Sequence, residues 1–150
     1  MIQVRQEEIS FAPVGQEQQE QIPSQGQGLD PTRIVEMSLN ASKAIHAFHI
    51  EVGVGQYQLH KYLEEVYEDL DEFGDSLGEL YQGVTGNLSL GIDLNRTPVD
   101  EPTKAEDVIG FLDYFIGVIC GLSGIDKGID NLTSTYAEKL RKHISMLLRF

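Results

Sequence analysis

The stretch LHKYLEEVYEDLDEFGDSLGELYQGV, residues 59–84, decides the fold of this chain. Its apolar residues recur at alternating spacings of four and three, the period of one face of an α-helix. The residues between them are mostly charged or polar, so this stretch predicts a long amphipathic helix. Gly83 and the pair Gly86-Asn87 are expected to end it. The apolar face consists of Leu59, Leu63, Val66, Leu70, Phe73, Leu77, Leu80 and Val84.

A second amphipathic helix is predicted immediately before this one. Asp30 is a favourable N-cap residue, and Pro31 stands at the first helical position, where its missing N–H costs nothing. Apolar residues then recur at helical spacing as far as Val52, and Gly53 and Gly55 follow. Glycines end helices, so we expect the first helix to stop near residue 52.

Two more helices are predicted in the second half, from about Pro102 to Ser123 and from about Ile129 to Leu148. Residues 84–103 contain glycines and prolines that exclude a helix, and they are too many for a simple hairpin turn. A helix bundle with one such crossover has ferritin-like topology. The predicted fold class is therefore all-α: a ferritin-like four-helix bundle with one long crossover between helices 2 and 3.

The first thirty residues differ in composition from the rest of the chain. They contain eight glutamines, more acids than bases and few apolar side chains. Such a segment cannot bury enough surface to fold alone. We therefore predict an extended or flexible acidic, Gln-rich N-terminal arm over residues 1–30, solvated or held by a protein partner, and a ferritin-like bundle over residues 31–150.

Composition restricts the class of function. A length of 150 residues suits one domain with one core. The formal net charge of -13 disfavours general nucleic-acid binding and favours attraction of cations. The single cysteine, Cys120, excludes an intrachain disulfide and favours a reducing, cytoplasmic compartment. No apolar run is long enough to predict a membrane span.

Two histidines lie at the junction of the first two predicted helices. His49 is near the end of the first helix and His60 near the start of the second. The two glycines between them make a tight connection, so both imidazoles can approach one point. A pair of imidazoles suits iron or zinc but is incomplete without carboxylates.

Asp75 and Glu79 supply carboxylates on the outer face of the second helix. They are four residues apart and therefore face one direction. Asp75 lies fifteen residues beyond His60, which is roughly 22 Å along a helix, so one metal ion cannot bind both in the same chain. In an antiparallel dimer, His49 and His60 of one chain would meet the second chain's carboxylates, twice by symmetry.

Glu64 stands one turn after His60 and is a candidate accessory metal ligand. A di-iron centre inside one bundle would require Glu-x-x-His motifs on facing helices. None of the four histidines has a glutamate three positions earlier. Two possibilities remain. Either the metal site lies between two chains, or there is no metal site and the acidic face is simply solvated.

The segment FHIEVGVGQYQLHKYLEEVYEDLDEFGDSLGELY, residues 48–81, resembles the central signature of the Dps mini-ferritins, the starvation-induced DNA-protecting proteins. That signature has a first-helix His, a Gly-containing turn, a second-helix Leu-His and a later Asp-x-x-x-Glu. The end of the chain, KHISMLLRF (residues 142–150), is similar to the family's last helix. Ile50 and Ser145 stand where the family usually has Trp. The residues that match the family's ligands are His49, His60, Asp75 and Glu79.

The resemblance implies a ferroxidase that stores or detoxifies iron. In such a protein, Fe(II) binds at mono-iron or di-iron sites between subunits and is oxidised by peroxide or oxygen. The dimer is the site-forming unit and a dodecamer is the closed shell. His49, His60, Asp75 and Glu79 would be both catalytic and metal-binding, with Glu64 as a further ligand. We do not expect strong DNA binding, because the N-terminal arm is acidic where DNA-binding members have basic tails.

Two other interpretations remain open. The chain is a non-catalytic ferritin-like structural or interaction subunit of a larger assembly, for example a phage particle, or it is a plain helical bundle with an acidic face. For three remaining residues we expect structural roles. We predict a small buried hydrophobe at Cys120, a half-buried polar residue at His46 and a helix C-terminal cap at His143.

Overall fold

A computed structural model describes residues 29–150 of the chain. This part is all-helical with four α-helices and no β-strand, which confirms the predicted all-α class. The predicted N-terminal arm lies outside the described residues except for Leu29 and Asp30. None of the helices within 29–150 combines the length and the hydropathy needed to cross a membrane. The helices are α1 (Pro31–Val52), α2 (Tyr57–Thr85), α3 (Ala105–Cys120) and α4 (Lys127–Leu147).

Helix α1 begins and ends where the sequence predicts. The Asp30 side chain accepts a hydrogen bond of 3.1 Å from the backbone N–H of Arg33, which satisfies one of the free donors of the first turn. At the other end, Gly53 has a φ of 63° and donates its N–H to the carbonyl of His49. Only glycine adopts that conformation without strain, so it stops α1 at Val52.

Helix α2 follows a single 3₁₀ turn, Val54–Gln56, and runs to Thr85. Gly86 ends it in the left-handed conformation, with a φ of 75° and an N–H bond of 2.8 Å to the carbonyl of Gln82. Gly83, which was also expected to end the helix, lies inside its last turn. An isolated glycine weakens a helix without breaking it when the hydrogen-bond ladder continues beyond it.

Helices α1 and α2 form an antiparallel hairpin with the most extensive interhelical packing in this part of the chain. The Ser38 hydroxyl donates to the carbonyl of Leu70, and the Ser42 hydroxyl donates to the carbonyl of Tyr67. Residue numbers thus rise along α1 while they fall along the paired part of α2, as expected for antiparallel helices. Gly74 permits the close approach, because a Cβ at that position would lie 3.0 Å from Leu39 Cδ2.

Helix α4 packs against both α3 and α2. The Tyr136 hydroxyl donates to Glu72 at 2.7 Å, and the His143 ring bonds Asp69 at 2.7 Å, so α4 also runs antiparallel to α2. Burial raises the pKa of the Tyr136 phenol well above its usual range, and the acceptor carboxylate of Glu72 raises it further. The predicted cap role of His143 is wrong, because its ring faces α2 and is buried there.

The core lies between the helices and is built around aromatic rings. Phe73 meets Phe115 edge to face at 5.9 Å between centroids, and Phe111 stacks on Phe115 at 5.4 Å. The apolar stripes predicted for α1 to α4 are buried or partly buried, with two exceptions at the end of α2. Leu80 and Val84 are 36% and 43% exposed, because α2 continues beyond the helices that cover it.

The crossover between α2 and α3 spans residues 86–104 and contains one 3₁₀ turn, Leu94–Arg96. It is fastened to α1 by Glu36, which is fully buried and accepts hydrogen bonds from the backbone N–H of Asp93, the Arg96 guanidinium and the Thr97 hydroxyl. The Asn40 amide donates to the carbonyls of Leu94 and Thr97. The long connection is therefore positioned by α1.

Helix α3 is shorter than the predicted span of residues 102–123. It begins at Ala105, where Asp107 accepts hydrogen bonds from the backbone N–H and the hydroxyl of Thr103. It ends at Cys120, and the following residues form turns. The prediction of a buried Cys120 is wrong: the thiol is exposed, because the side chain lies on the outer face of the last turn, beside rather than within the apolar stripe.

Candidate metal centre

His49 and His60 lie side by side at the closed end of the α1–α2 hairpin. The two rings stack with centroids 3.7 Å apart and an angle of 22° between their planes. Gly53 makes this approach possible by turning the chain directly into the 3₁₀ turn that precedes α2. The structure thus brings together the two histidines that the sequence placed at this junction.

Each of the two imidazoles bonds the backbone of the other. His49 Nδ1 lies 2.7 Å from the carbonyl oxygen of His60, and His60 Nδ1 lies 3.0 Å from the carbonyl oxygen of His49. A carbonyl oxygen only accepts hydrogen bonds, so both Nδ1 atoms carry the proton. In the neutral imidazole each Nε2 then keeps its lone pair. These reciprocal bonds fix the orientation of both rings, as carbonyl partners do for metal-ligating histidines.

Tyr67 and His46 extend this ring cluster along the hairpin. Tyr67 meets His49 edge to face at 5.3 Å and stacks on His46 at 4.1 Å. His46 is exposed, so the expectation of a half-buried residue is wrong: its ring lies over Tyr67 at the surface instead of entering the core. Burial raises the pKa of the Tyr67 phenol, and the charges of Glu64 and Glu68 raise it further.

Glu64 is placed near both histidines, one turn beyond His60. A hydrogen bond from Lys61 lowers the pKa of the Glu64 carboxyl, and the positive charge of the Lys61 ammonium lowers it further. The carboxylate is therefore ionised at neutral pH and available as an anionic ligand. The Lys61 ammonium lies 2.8 Å from Glu64 Oε1. This pairing was not predicted from the sequence, although the i,i+3 spacing of opposite charges is a recognisable signal.

Asp75 and Glu79 lie further along α2, at exposed positions on its outer face. Within residues 29–150 neither carboxylate has a hydrogen-bond or ion-pair partner. Gly74 and Gly78 lie on the same helix against α1, close to Leu39 and Val35, respectively. The small glycines hold α2 close to α1 and leave the two carboxylates at the rim of the interhelical groove.

An open groove of about 700 Å³ runs over the outer face of the hairpin between the ring cluster and Asp75. Half of its ten lining residues are acidic, and Lys43 is the only lysine or arginine among the described residues that line it. The electrostatic field of several carboxylates in one groove attracts cations. The acidic lining residues are Glu68, Asp69, Asp71, Glu72 and Asp75.

A complete metal centre is not formed by residues 29–150 of a single chain. No three His, Cys, Asp or Glu side chains in this part are arranged to hold one ion. The structure brings His49, His60 and Glu64 near one another, and it leaves Asp75 and Glu79 apart from them on the same helix. An ion bound at the histidine pair would need further ligands from outside residues 29–150 of the same chain.

The class that these observations define is an all-helical chain with four helices and a two-histidine cluster at one hairpin end. Comparisons with protein-family models, with curated proteins and with solved structures found no match.

Proposed function

We propose that this chain is the subunit of a Dps-type ferroxidase with a ferritin-like four-helix bundle. Fe(II) is the substrate, and it binds between two copies of the chain. His49 and His60 of one copy and Asp75 and Glu79 of the other are its ligands, with Glu64 as an accessory ligand. The product is ferric iron, held in the oligomer for storage or detoxification.

The pair of reciprocal hydrogen bonds between His49 and His60 carries this proposal. Two neutral imidazoles with protonated Nδ1 atoms and unpaired Nε2 atoms are the form that binds a first-row transition metal. Preorganised rings lose little freedom when an ion binds.

The charge of the hairpin face supports the same function. Asp75 and Glu79 are exposed and unpaired within the described residues, so binding an ion would break no existing interaction. Fe(II) accepts carboxylate oxygen as well as imidazole nitrogen. The acidic groove lies beside these residues and would concentrate divalent cations near them.

A two-fold dimer would bring the histidine pair of one chain close to the Asp75 and Glu79 carboxylates of the other. Fifteen residues separate His60 from Asp75, which corresponds to roughly 22 Å along α2. When two α1–α2 hairpins pack antiparallel, the histidine end of each meets the carboxylate stretch of the other. Each dimer then has two equivalent sites, and both faces of the interface are the same surface.

For this reaction the chain needs only to bind the Fe(II) ions and hold their ligands in place. Two Fe(II) ions each lose one electron, and hydrogen peroxide takes up both electrons to give two hydroxide ions. The imidazoles hold the metal through Nε2, and the carboxylates balance the rise in charge from Fe(II) to Fe(III). Glu64 stays ionised because of its cationic neighbour, so it can add a further negative charge.

Anaerobic Fe(II) titration by calorimetry, followed by addition of peroxide, tests the proposal. We expect saturable binding of one or two ions per chain and then rapid ferric absorbance in the near ultraviolet. His60→Ala and Asp75→Asn should each abolish oxidation and retain helicity. Asp113→Asn is the matched control for Asp75→Asn, because Asp113 is also exposed and lies on α3, outside the ligand set. Absence of saturable binding in the wild type would refute the ferroxidase.

Mixing the two inactive variants tests the interchain arrangement directly. A dimer of one His60→Ala chain and one Asp75→Asn chain has one doubly altered site and one site with all its ligands. Unfolding and refolding the two variants together should therefore restore up to about a quarter of the wild-type activity, because half of randomly formed dimers are mixed and half of their sites are intact. No recovery with refolded, helical dimers would exclude shared sites.

A second candidate function is a non-catalytic structural or interaction subunit of a larger assembly. One observation favours it: apolar side chains are exposed at the end of α2 and in the following segment. Leu88 is 98% exposed and Ile92 43% exposed, and Leu80 and Val84 in the last turns of α2 are also exposed. A contiguous patch of exposed apolar side chains marks a protein contact. A subunit of this type would bind no Fe(II) and would be monomeric or dimeric alone by light scattering.

A further inference from the structure

Lys61 places a resident cation beside the candidate metal ligands. It follows His60 directly, and its Nζ lies 2.8 Å from Glu64 Oε1 on the exposed side of α2. The lysine side chain is 52% exposed and the glutamate side chain 34% exposed. Glu64 also stands four residues after His60 on the same helix, so the two side chains share one face of α2. The ammonium group and the histidine pair therefore flank one carboxylate.

An incoming metal ion and Lys61 need the same oxygen atoms. To bind Glu64, the ion must displace the Lys61 ammonium group from Oε1. Otherwise it must bind a carboxylate whose negative charge is already partly neutralised by Lys61. The positive charge of Lys61 also opposes the approach of a second cation. Ion pairs at this level of exposure are weak, so the lysine can be displaced, at a cost to metal affinity.

We propose that Lys61 is a specificity-determining residue that competes with metal ions for Glu64. It lowers the affinity for cations that depend on carboxylate oxygen, and it affects cations that bind well to imidazole much less. Mn²⁺ belongs to the first group and Zn²⁺ to the second. The inference rests on the proposed function, because it concerns the same histidine pair.

Calorimetric titration with Mn²⁺ and with Zn²⁺ on the full chain tests this. Lys61→Met removes the charge and keeps a long unbranched side chain. We expect it to raise Mn²⁺ affinity about two- to fivefold, the range set by a surface ion pair, and to change Zn²⁺ affinity less than about twofold. Lys104→Met is the matched control, because Lys104 also forms an exposed pair, with Glu106 at 3.3 Å, far from His60 in sequence.

The Glu64→Gln background separates competition for the carboxylate from the general effect of charge. With Gln at this position, Lys61→Met should no longer raise Mn²⁺ affinity beyond the change seen with Lys104→Met. If it raises the affinity as much as before, or if the two lysine variants behave alike in the wild-type background, Lys61 does not compete at Glu64. The proposed function would survive either result, provided the wild type binds metal. If neither the wild type nor any variant binds Mn²⁺, Zn²⁺ or Fe(II), both proposals are wrong.

Discussion

Glu36→Gln is the perturbation that best tests how the crossover is held. The two Glu36 oxygens accept from Thr97 and Arg96 on one side, and from the backbone N–H of Asp93 and Arg96 on the other. Glutamine has one oxygen and one NH₂ group, so donors on one side lose their acceptor. Each buried donor left unpaired costs about 1–3 kcal/mol.

The expected total is about 2–3 kcal/mol of unfolding free energy. The lower part of the range for a broken buried ion pair applies, because the Arg96 side chain is 40% exposed and regains water. For a domain of this size, this loss corresponds to a melting temperature about 10 °C lower. Urea unfolding followed by circular dichroism measures the free energy, and hydrogen exchange should show faster exchange of the amides in residues 93–97.

The effect of Glu36→Gln should depend on pH. Burial by itself would raise the pKa of the Glu36 carboxyl, but the hydrogen bonds from Arg96, Asp93 and Thr97 outweigh it and hold the pKa below its ordinary value. Because the folded-state pKa is lowered, the carboxylate stabilises the fold above the ordinary value near 4.5 and stops doing so as the pH falls further. The wild type and the variant should therefore converge in stability between about pH 5 and about pH 3.

Glu106→Gln is the control for this series. Glu106 also pairs with a cationic side chain, but its own side chain is 80% exposed, so the substitution should change stability by less than about 0.5 kcal/mol. If Glu36→Gln is equally silent, or if its cost is the same at every pH, the buried carboxylate does not hold the crossover and the reasoning fails.

Two other substitutions test the helix contacts. Gly74→Val should destabilise the fold by about 1–3 kcal/mol, because a Cβ there already meets Leu39 at 3.0 Å; Gly83→Val, with open space around it, should cost under about 1 kcal/mol, and equal melting temperatures would contradict the close packing. Tyr136→Phe leaves the Glu72 carboxylate without its phenol donor, so we expect a loss of about 1 kcal/mol in urea unfolding; no loss would show that water replaces the phenol at no cost.

The four helices could be predicted because each carries its own local signals. In α1, Asp30 and Pro31 mark the start and Gly53 marks the end, and all three act within one turn. The alternation of four and three in α2 is long enough to define its buried face without reference to any other helix. Sequence periodicity is strongest for this kind of long amphipathic segment.

The errors concern features that depend on tertiary packing. His143 was assigned to the end of its own helix, but Asp69 on α2 offers it a partner at 2.7 Å. Cys120 lies in an apolar helix, yet the last turn of α3 leaves it exposed. The role of Glu36 could not be predicted, because a single acid in an amphipathic helix gives no sign that a guanidinium sixty residues away will meet it.

The histidine pair shows where sequence reasoning about the site stops. The positions of His49 and His60 near a tight turn predicted that the rings could meet. Which ring nitrogen stays unpaired could not be predicted, because it depends on the backbone carbonyls that the turn brings within reach. The outward position of Asp75 and Glu79 on α2 could likewise be predicted. That a second chain contacts them stays a proposal.

The length of the turn between α1 and α2 determines how the His49 and His60 rings bond to each other's backbone. The connection from Gly53 to Gln56 sets the register in which α2 returns along α1, as the Ser42–Tyr67 bond also shows. An α-helix rotates by about 100° and rises about 1.5 Å per residue. A connection one residue longer or shorter would therefore turn the His60 ring away from His49 and break both Nδ1 bonds. With this turn, both rings direct Nδ1 at a backbone carbonyl and leave Nε2 without a partner among residues 29–150, which is the arrangement that the proposed Fe(II) site requires.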